Sequence, residues 1–211
     1  MKSEDCGPPE DCFYKGCNAV GMCKKIGLPQ GSNCLSPANG TCTGANTCVS
    51  SRYVFVTSTT FPSTFGGTQT ADTMCGKIAM GVGLGGTWKS WTSDGAGSTP
   101  AGRFMPSPGS YMLLDDMNVV ATSWGKLTSG VLAHGIDVDE KKDPVMIAHE
   151  VWTGTATNGT YAGTSCGNWQ LNGQFNPSAV VGVAGNTDDT WTAAPNPGVC
   201  SAKARLYCFQ Q

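Results

Sequence analysis

Eleven cysteines in 211 residues, seven of them before residue 49, constrain this chain more than any other feature. The seven are Cys6, Cys12, Cys17, Cys23, Cys34, Cys42 and Cys48, separated mostly by Gly, Pro, Asn and Ser. A segment so short and so poor in large aliphatics cannot bury enough apolar surface to fold on a core, so covalent constraint must replace it. Zinc is the rival use for clustered cysteines. No spacing here forms a paired CxxC frame, and the chain has only 2 histidines to complete a site. Disulfides are therefore expected, and with them an oxidising compartment. Because seven is odd, one thiol of this segment pairs elsewhere in the chain, pairs with another chain, or stays free.

The balance of charge narrows the partners. Net charge is -2 and only 13% of residues are charged, so no basic field exists to hold nucleic acid. No stretch reaches transmembrane length. The opening residues "MKSEDCGPPE" contain no apolar run, so an export signal is expected to have been removed. Low charge with abundant Gly, Ser, Thr and Asn fits an extracellular β-rich protein.

The texture changes at Arg52, which divides the chain into a cysteine-rich, disulfide-stapled segment over residues 1–51 and a larger domain over 52–211. "YVFVTSTTF" (Tyr53–Phe61) alternates apolar and polar residues as a strand does. In Thr68–Leu84, Met74, Cys75, Ile78 and Ala79 share one face at helical spacing. Thr70 or Asp72 is placed to cap its start, and Gly81 and Gly83 to end it. "TWKSWTS", "SYMLLDD", "VVATSW", "MIAHEVWTG" and "ARLYCF" read as further strands, with a second short helix near Trp124–Ser129.

Four cysteines remain in the larger domain, Cys75, Cys166, Cys200 and Cys208, and they allow three connectivities. A nested pattern, Cys75–Cys208 outside and Cys166–Cys200 inside, would tie the domain's chain ends together. The segments "ADTMCGKIAMGVGLGGTWKSWTSD", "SWGKLTSG", "VWTGTATNGTYAGTSCGNW" and "CSAKARLYCF" occur in an order that resembles endostatin-like domains, including bacterial endostatin-like outer-surface proteins. The resemblance covers about residues 53–211. It implies an α+β, C-type-lectin-like fold: a twisted, mostly antiparallel sheet with one or two helices and long loops. It also implies the nested bridges, with Trp152 in the core and a tight turn at Asn158-Gly159 beside Cys166.

Several properties of the resembled proteins have no counterpart here. Nothing before Tyr53 matches their N-terminal zinc-binding histidines. The arginines are three and well spread, Arg52, Arg103 and Arg205, which argues against heparin-type binding. The Glu-Pro-Asn, Gln-Pro-Asp and Trp-Asn-Asp triplets of calcium-dependent lectins are absent, so calcium-dependent sugar binding by that route is not expected.

Catalytic patterns fare no better. His149-Glu150 begins an HExxH motif, but Thr153 stands where the second histidine is required. "DVDEKKD" (Asp137–Asp143) alternates carboxylates without the glycine and terminal glutamate of a calcium loop, and reads as a solvated charged loop. Asp115-Asp116 reads as a turn. No GxSxG or ordered Ser/His/Asp set stands out. Neither a cofactor nor a metal is expected.

Binding residues are sought instead in the segment closed by Cys166 and Cys200. Asn168, Trp169, Asn186, Asp188, Asp189 and Trp191 combine aromatic faces with amide and carboxylate groups, as a neutral sugar requires. The alternative is that both tryptophans fill the core. Asp94–Ser110 is a second exposed loop, with Arg103 and Phe104 as anchors or as plain connection. These readings lead to a non-catalytic, adhesin-like surface protein, extracellular or at the outer cell surface, that binds a glycan or an extracellular protein. Self-association or a covalent link through an N-terminal cysteine is the further partner expectation. The alternatives are a structural subunit of an extracellular fibre or envelope assembly, and a hydrolase.

Overall fold

The computed structural model describes residues 11–17, 22–34, 40–146, 149–171 and 177–211. It is a mixed α+β structure in which short strands dominate and the helices are few. Cys6 lies outside the described residues, as do Ile147 and Ala148 of the expected strand before Val151.

The cysteine-rich segment forms two small sheets. Strands β1 (Phe13–Cys17) and β2 (Cys23–Gly27) pair antiparallel. Strands β3 (Asn33–Cys34), β4 (Gly40–Cys42) and β5 (Cys48–Ser50) form a three-stranded meander. Bridge Cys12–Cys42 joins the residue before β1 to β4, Cys34–Cys48 ties β3 to β5 within the meander, and Cys23 is disulfide-bonded as well. The segment rests on the rest of the chain through Thr41, whose hydroxyl bonds Ser51 Oγ at 2.8 Å and accepts from the Ser110 N–H at 3.0 Å. Gly109 permits this approach, because a Cβ there would lie 2.8 Å from the Ser50 carbonyl oxygen.

A five-stranded sheet organises the larger part. Strand β6 (Arg52–Val56) runs through it, antiparallel to the final strand β16 (Tyr207–Gln210), so first and last strands are neighbours. Strand β8 (Trp88–Ser90) flanks β16. Strand β9 (Tyr111–Leu113) lies parallel to β6, and β10 (Val119–Ala121) closes the edge beyond it. The "VFV" of β6 is wholly buried, because the sheet is covered on both faces.

Side-chain alternation along β16 shows what covers each face. Cys208 points to helix α1 (Thr68–Gly81) and bonds Cys75, while Ala71, Cys75 and Ala79 form the helix's buried stripe. Tyr207 and Phe209 face the other way into an aromatic cluster. Trp91 lies 5.4 Å from Phe209, 5.1 Å from Trp191 and 5.7 Å from Phe104 between ring centroids. Edge-on and tilted contacts of this kind add to the burial of area. Short helices α2 (Pro100–Arg103) and α3 (Trp124–Leu127) border this cluster, each capped by a side-chain oxygen, Thr99 and Ser123 respectively.

The helix start differs from the capping expectation. Gly67, with φ 105°, precedes the first helical residue, and no side chain caps it. Thr70 lies inside the helix and bonds back to the Gly66 carbonyl. Asp72 turns inward instead, accepting from the Ser90 N–H at 2.8 Å and pairing with Arg103.

Strands β11 (Glu150–Trp152) and β13 (Val181–Val183) pair antiparallel, and so do β12 (Ser178–Ala179) and β14 (Gly198–Val199). β15 (Lys203–Ala204) pairs with β7 (Phe61–Pro62). The expected "ARLYCF" strand is thus divided between β15 and β16. Cys166–Cys200 clips the β12–β14 region to the turn that carries Asn168, inside the loop closed by Cys75–Cys208. The Asn158-Gly159 turn forms as a tight return: Gly159, with φ 81°, donates to the Ala156 carbonyl, and Ala156 donates to Thr160.

Candidate functional site

Cys166, Gly167, Asn168 and Trp169 all have positive φ, between 49° and 64°. Trp169 N–H donates to the Ser165 carbonyl at 2.7 Å and Gln170 N–H to the Cys166 carbonyl at 3.1 Å. Together they make one turn of left-handed helix. Each L-residue so placed costs roughly 1–2 kcal/mol, and only the glycine, with the asparagine to a lesser degree, adopts the conformation readily.

The surroundings hold the turn in place. The Cys166–Cys200 bridge anchors its start. Trp169 is fully buried, stacks on Phe65 at 4.9 Å, and donates its indole N–H to the Ser93 carbonyl at 2.9 Å. Strain maintained by a bridge and a buried indole is a reason to look for function beside it.

Beside the turn lies a cleft of about 310 Å³, built from three segments distant in sequence: the entry to α1 (Gly66–Gln69), the Asp94–Ser98 turn, and Asn168 with Gln170. Gly66 and Gly67, with φ 90° and 105°, give the first segment its path. Asp94 shapes the second, its Oδ1 accepting from the Ala96 and Ser98 N–H groups at 3.0 Å each. Thr68 Oγ1 joins the two, 2.7 Å from Ser98 Oγ. Asn168 ties the third to the second: its Oδ1 accepts from the Gly95 N–H at 2.8 Å. This fixes which end of the amide is which and leaves Nδ2 as its donor end. Gln69 and Gln170 are exposed and add two more carboxamides. The half-buried Tyr161 stands alongside, its Oη 3.4 Å from Ser165 Oγ. Amide donors and acceptors converge here with hydroxyls and a carboxylate already engaged by its own turn. That set matches a neutral ligand rich in hydroxyls better than an ion.

The residues expected to bind do not share one site. Asn168 lines this cleft. Trp169 and Trp191, the expected stacking faces, are both 0% exposed, and neither presents a face to a ligand. Their burial follows from packing, Trp169 against Phe65 and Trp152, and Trp191 against Trp91 and Tyr207. Arg103 is not a surface anchor either. Its Nη1 contacts both Asp72 oxygens, and its Nη2 donates to the Ser90 and Thr92 carbonyls. Phe104 is buried with the cluster.

Asn186 lines a second cleft of about 320 Å³ with Val181, Val183, Ala194 and Pro195. Its amide donates to Thr190 Oγ1 at 2.7 Å. Asp188 caps the 3-10 turn Asp189–Trp191, accepting from the Thr190 N–H at 3.1 Å. Asp189 is exposed at the start of that turn. Asn186 and Asp188 therefore hold their own loop.

The acidic stretch also differs from a solvated loop. Asp139 and Glu140 are buried. Asp139 accepts from the Lys141 and Asp143 N–H groups, and Glu140 from the Ser58 N–H at 2.8 Å. Asp115-Asp116 does form a turn, with Asp116 at φ 62°. Burial raises the Asp115 pKa. The Asn118 and Met117 N–H groups, the Asn118 amide and His134 outweigh it and leave the carboxyl below its ordinary value. His149 is exposed, and its ring contacts the Met146 carbonyl at 3.1 Å. Among the described residues, one group of three metal-capable side chains exists, Cys12, Cys34 and Cys48, and all three are in disulfides.

Sequence reasoning does not reach Gln69, Gln170 or the Thr68–Asp94–Ser98 network. "SDGAGS" has the composition of an Asx-type turn, but nothing local places it against a helix start twenty-six residues earlier. No known family model matches the chain, and no curated protein aligns with it.

Proposed function

We propose that this is an exported, non-catalytic binding protein, adhesin-like, whose larger domain has a C-type-lectin-like fold and holds a glycan in the cleft beside Asn168. The observation that carries the reading is the left-handed turn at Cys166–Trp169. It is strained, cross-linked, and places an asparagine in the wall of a cleft of hydroxyl and amide groups.

The lectin-like assignment is supported by three features. The first and last strands of the domain are neighbours, helix α1 is tied to the last strand by Cys75–Cys208, and Cys166–Cys200 is nested within that span. Export is supported by the disulfides. No helix among the described residues is long and apolar enough to cross a membrane. Binding through loops on a doubly bridged scaffold needs little reorganisation, and pre-organised polar groups recognise ligands at low entropic cost.

An oxidised sample screened in parallel against a glycan array and a panel of extracellular-matrix proteins, with and without EDTA, tests this. A glycan signal that survives EDTA supports the reading. A signal on the protein panel alone moves the partner to an extracellular protein. A second reading, a subunit of an extracellular assembly, rests on the odd number of cysteines, 11 in all. Dimers that reductant dissolves, seen by light scattering, would favour it.

A further inference from the structure

The sulfur atoms of Cys12, Cys34 and Cys48 lie within 4.8 Å of one another, although they belong to two different bridges. Cys42, bonded to Cys12, brings a fourth sulfur to the group. The two bridges differ in access: Cys12 and Cys42 are 1% and 2% exposed, whereas Cys48 is partly open to solvent. The strand register adds a further relation. Cys42 and Cys48 are directly opposed on β4 and β5, the arrangement in which two Cα atoms come within bonding reach of a disulfide.

We propose that these four cysteines form a thiol–disulfide exchange centre with two pairings, Cys12–Cys42 with Cys34–Cys48 and Cys12–Cys34 with Cys42–Cys48, interconverted by an external thiol. The thiolate of a small thiol, or of a partner's cysteine, attacks Cys48 Sγ. The Cys34–Cys48 bond breaks, a mixed disulfide forms at Cys48, and Cys34 leaves as thiolate. Cys34 Sγ, already beside Cys12, attacks Cys12 Sγ, and the Cys12–Cys42 bond breaks as Cys12–Cys34 forms. The Cys42 thiolate then attacks its cross-strand neighbour Cys48 and expels the external thiolate. Two disulfides are present at the start and at the end, so nothing is oxidised or reduced, and the thiol is returned. The mixed disulfide at Cys48 is the point at which a partner thiol is held covalently. Isomerisation moves the tether of Cys12 from β4 to β3.

The test uses the full oxidised chain, incubated at pH 8 with reduced glutathione at a tenth of the protein concentration. The sample is then quenched with N-ethylmaleimide and its disulfides mapped by peptide mass spectrometry. The expected result is a population with Cys12–Cys34 and Cys42–Cys48 linkages. It should exceed by at least about tenfold any linkage from these four to Cys75, Cys166, Cys200 or Cys208, as proximity requires. A Cys42→Ser variant gives a second reading that needs no external thiol. The freed Cys12 should attack Cys34, so that Cys48 is alkylated as well as Cys12. Original pairings alone in the wild-type chain, with or without a glutathione adduct, or alkylation at Cys12 but not at Cys34 or Cys48 in the variant, would overturn the proposal. Intact Cys75–Cys208 and Cys166–Cys200 peptides in the same map show that the rest of the variant is folded.

Discussion

Arg103 grips Asp72 at two points, its Nη1 lying 2.7 Å from one carboxylate oxygen and 2.6 Å from the other. The pair joins α2 to α1, and its remaining contacts reach into the backbone of β8 and the residues after it. Both side chains are mostly buried, at 14% and 19% exposure. Removing one partner strands the other in a poorly solvated place. Arg103→Ala is expected to cost about 3–5 kcal/mol in urea unfolding, as breaking a buried pair typically does. A cost under about 1 kcal/mol, the range of exposed pairs, would show that the bridge is solvent-screened.

Two glycines test the packing in opposite directions. A Cβ on Gly182 would lie 2.0 Å from the Trp191 carbonyl oxygen, a backbone clash that no side-chain motion relieves. Gly182→Ala is therefore expected to destabilise by about 1–3 kcal/mol or more. Gly76 sits within α1, and a methyl group there would meet nothing within 4 Å, so Gly76→Ala should stabilise by about 0.4–1 kcal/mol. Thermal melts of the two variants should move apart from wild type in opposite senses.

The nested bridges should differ in weight. Cys75–Cys208 spans 133 residues and Cys166–Cys200 spans 34. Chain-entropy reasoning assigns about 5 and about 4 kcal/mol to loops of those lengths. Paired Cys→Ala variants measured by urea unfolding should lose stability in that order. Unchanged stability in both would contradict the constraint attributed to them.

Alkaline pH should destabilise the fold through its tyrosines. Burial raises the pKa of Tyr207, with Asp137 adding to it. Burial also raises Tyr53, reinforced by Asp116, and Tyr111, where it outweighs the Ser107 N–H and Arg52. A group whose folded pKa lies above its unfolded value near 10 keeps its proton only in the folded state. The stability it adds is whole below about pH 10 and is lost as pH rises further. The urea midpoint should fall between about pH 9.5 and 11.5, and Tyr207→Phe should flatten that fall. An equal slope in the variant would remove Tyr207 from the account.

Legibility in the sequence follows the range of the interactions. The stripe Cys75, Ile78 and Ala79 announces α1, and the Trp124–Leu127 turn lies where its spacing puts it, because both are local patterns. Asp72 has the position of a cap in the sequence but not in the fold, because its partner, Arg103, lies thirty-one residues away. Trp169 and Trp191 sit among Gly, Asn and Asp, a loop-like composition, and only tertiary packing shows that these loops fold over their own indoles. The left-handed turn is least visible. Gly167 and Asn168 tolerate positive φ, but Cys166 and Trp169 do not favour it, and a bridge to Cys200 with a buried ring imposes it.

The measurement that bears most directly on the binding account is the glycan array read with wild type beside Asn168→Gly. Glycine keeps the left-handed backbone but also removes the exposed Oδ1 bond to the Gly95 N–H, so stability should fall by about 1–2 kcal/mol, with the fold retained. The account predicts a glycan signal in the wild type, insensitive to EDTA, that falls at least about tenfold in the variant, as loss of one well-placed hydrogen-bonding group implies. A glycan signal of equal strength in Asn168→Gly, or none from the wild type, would contradict it.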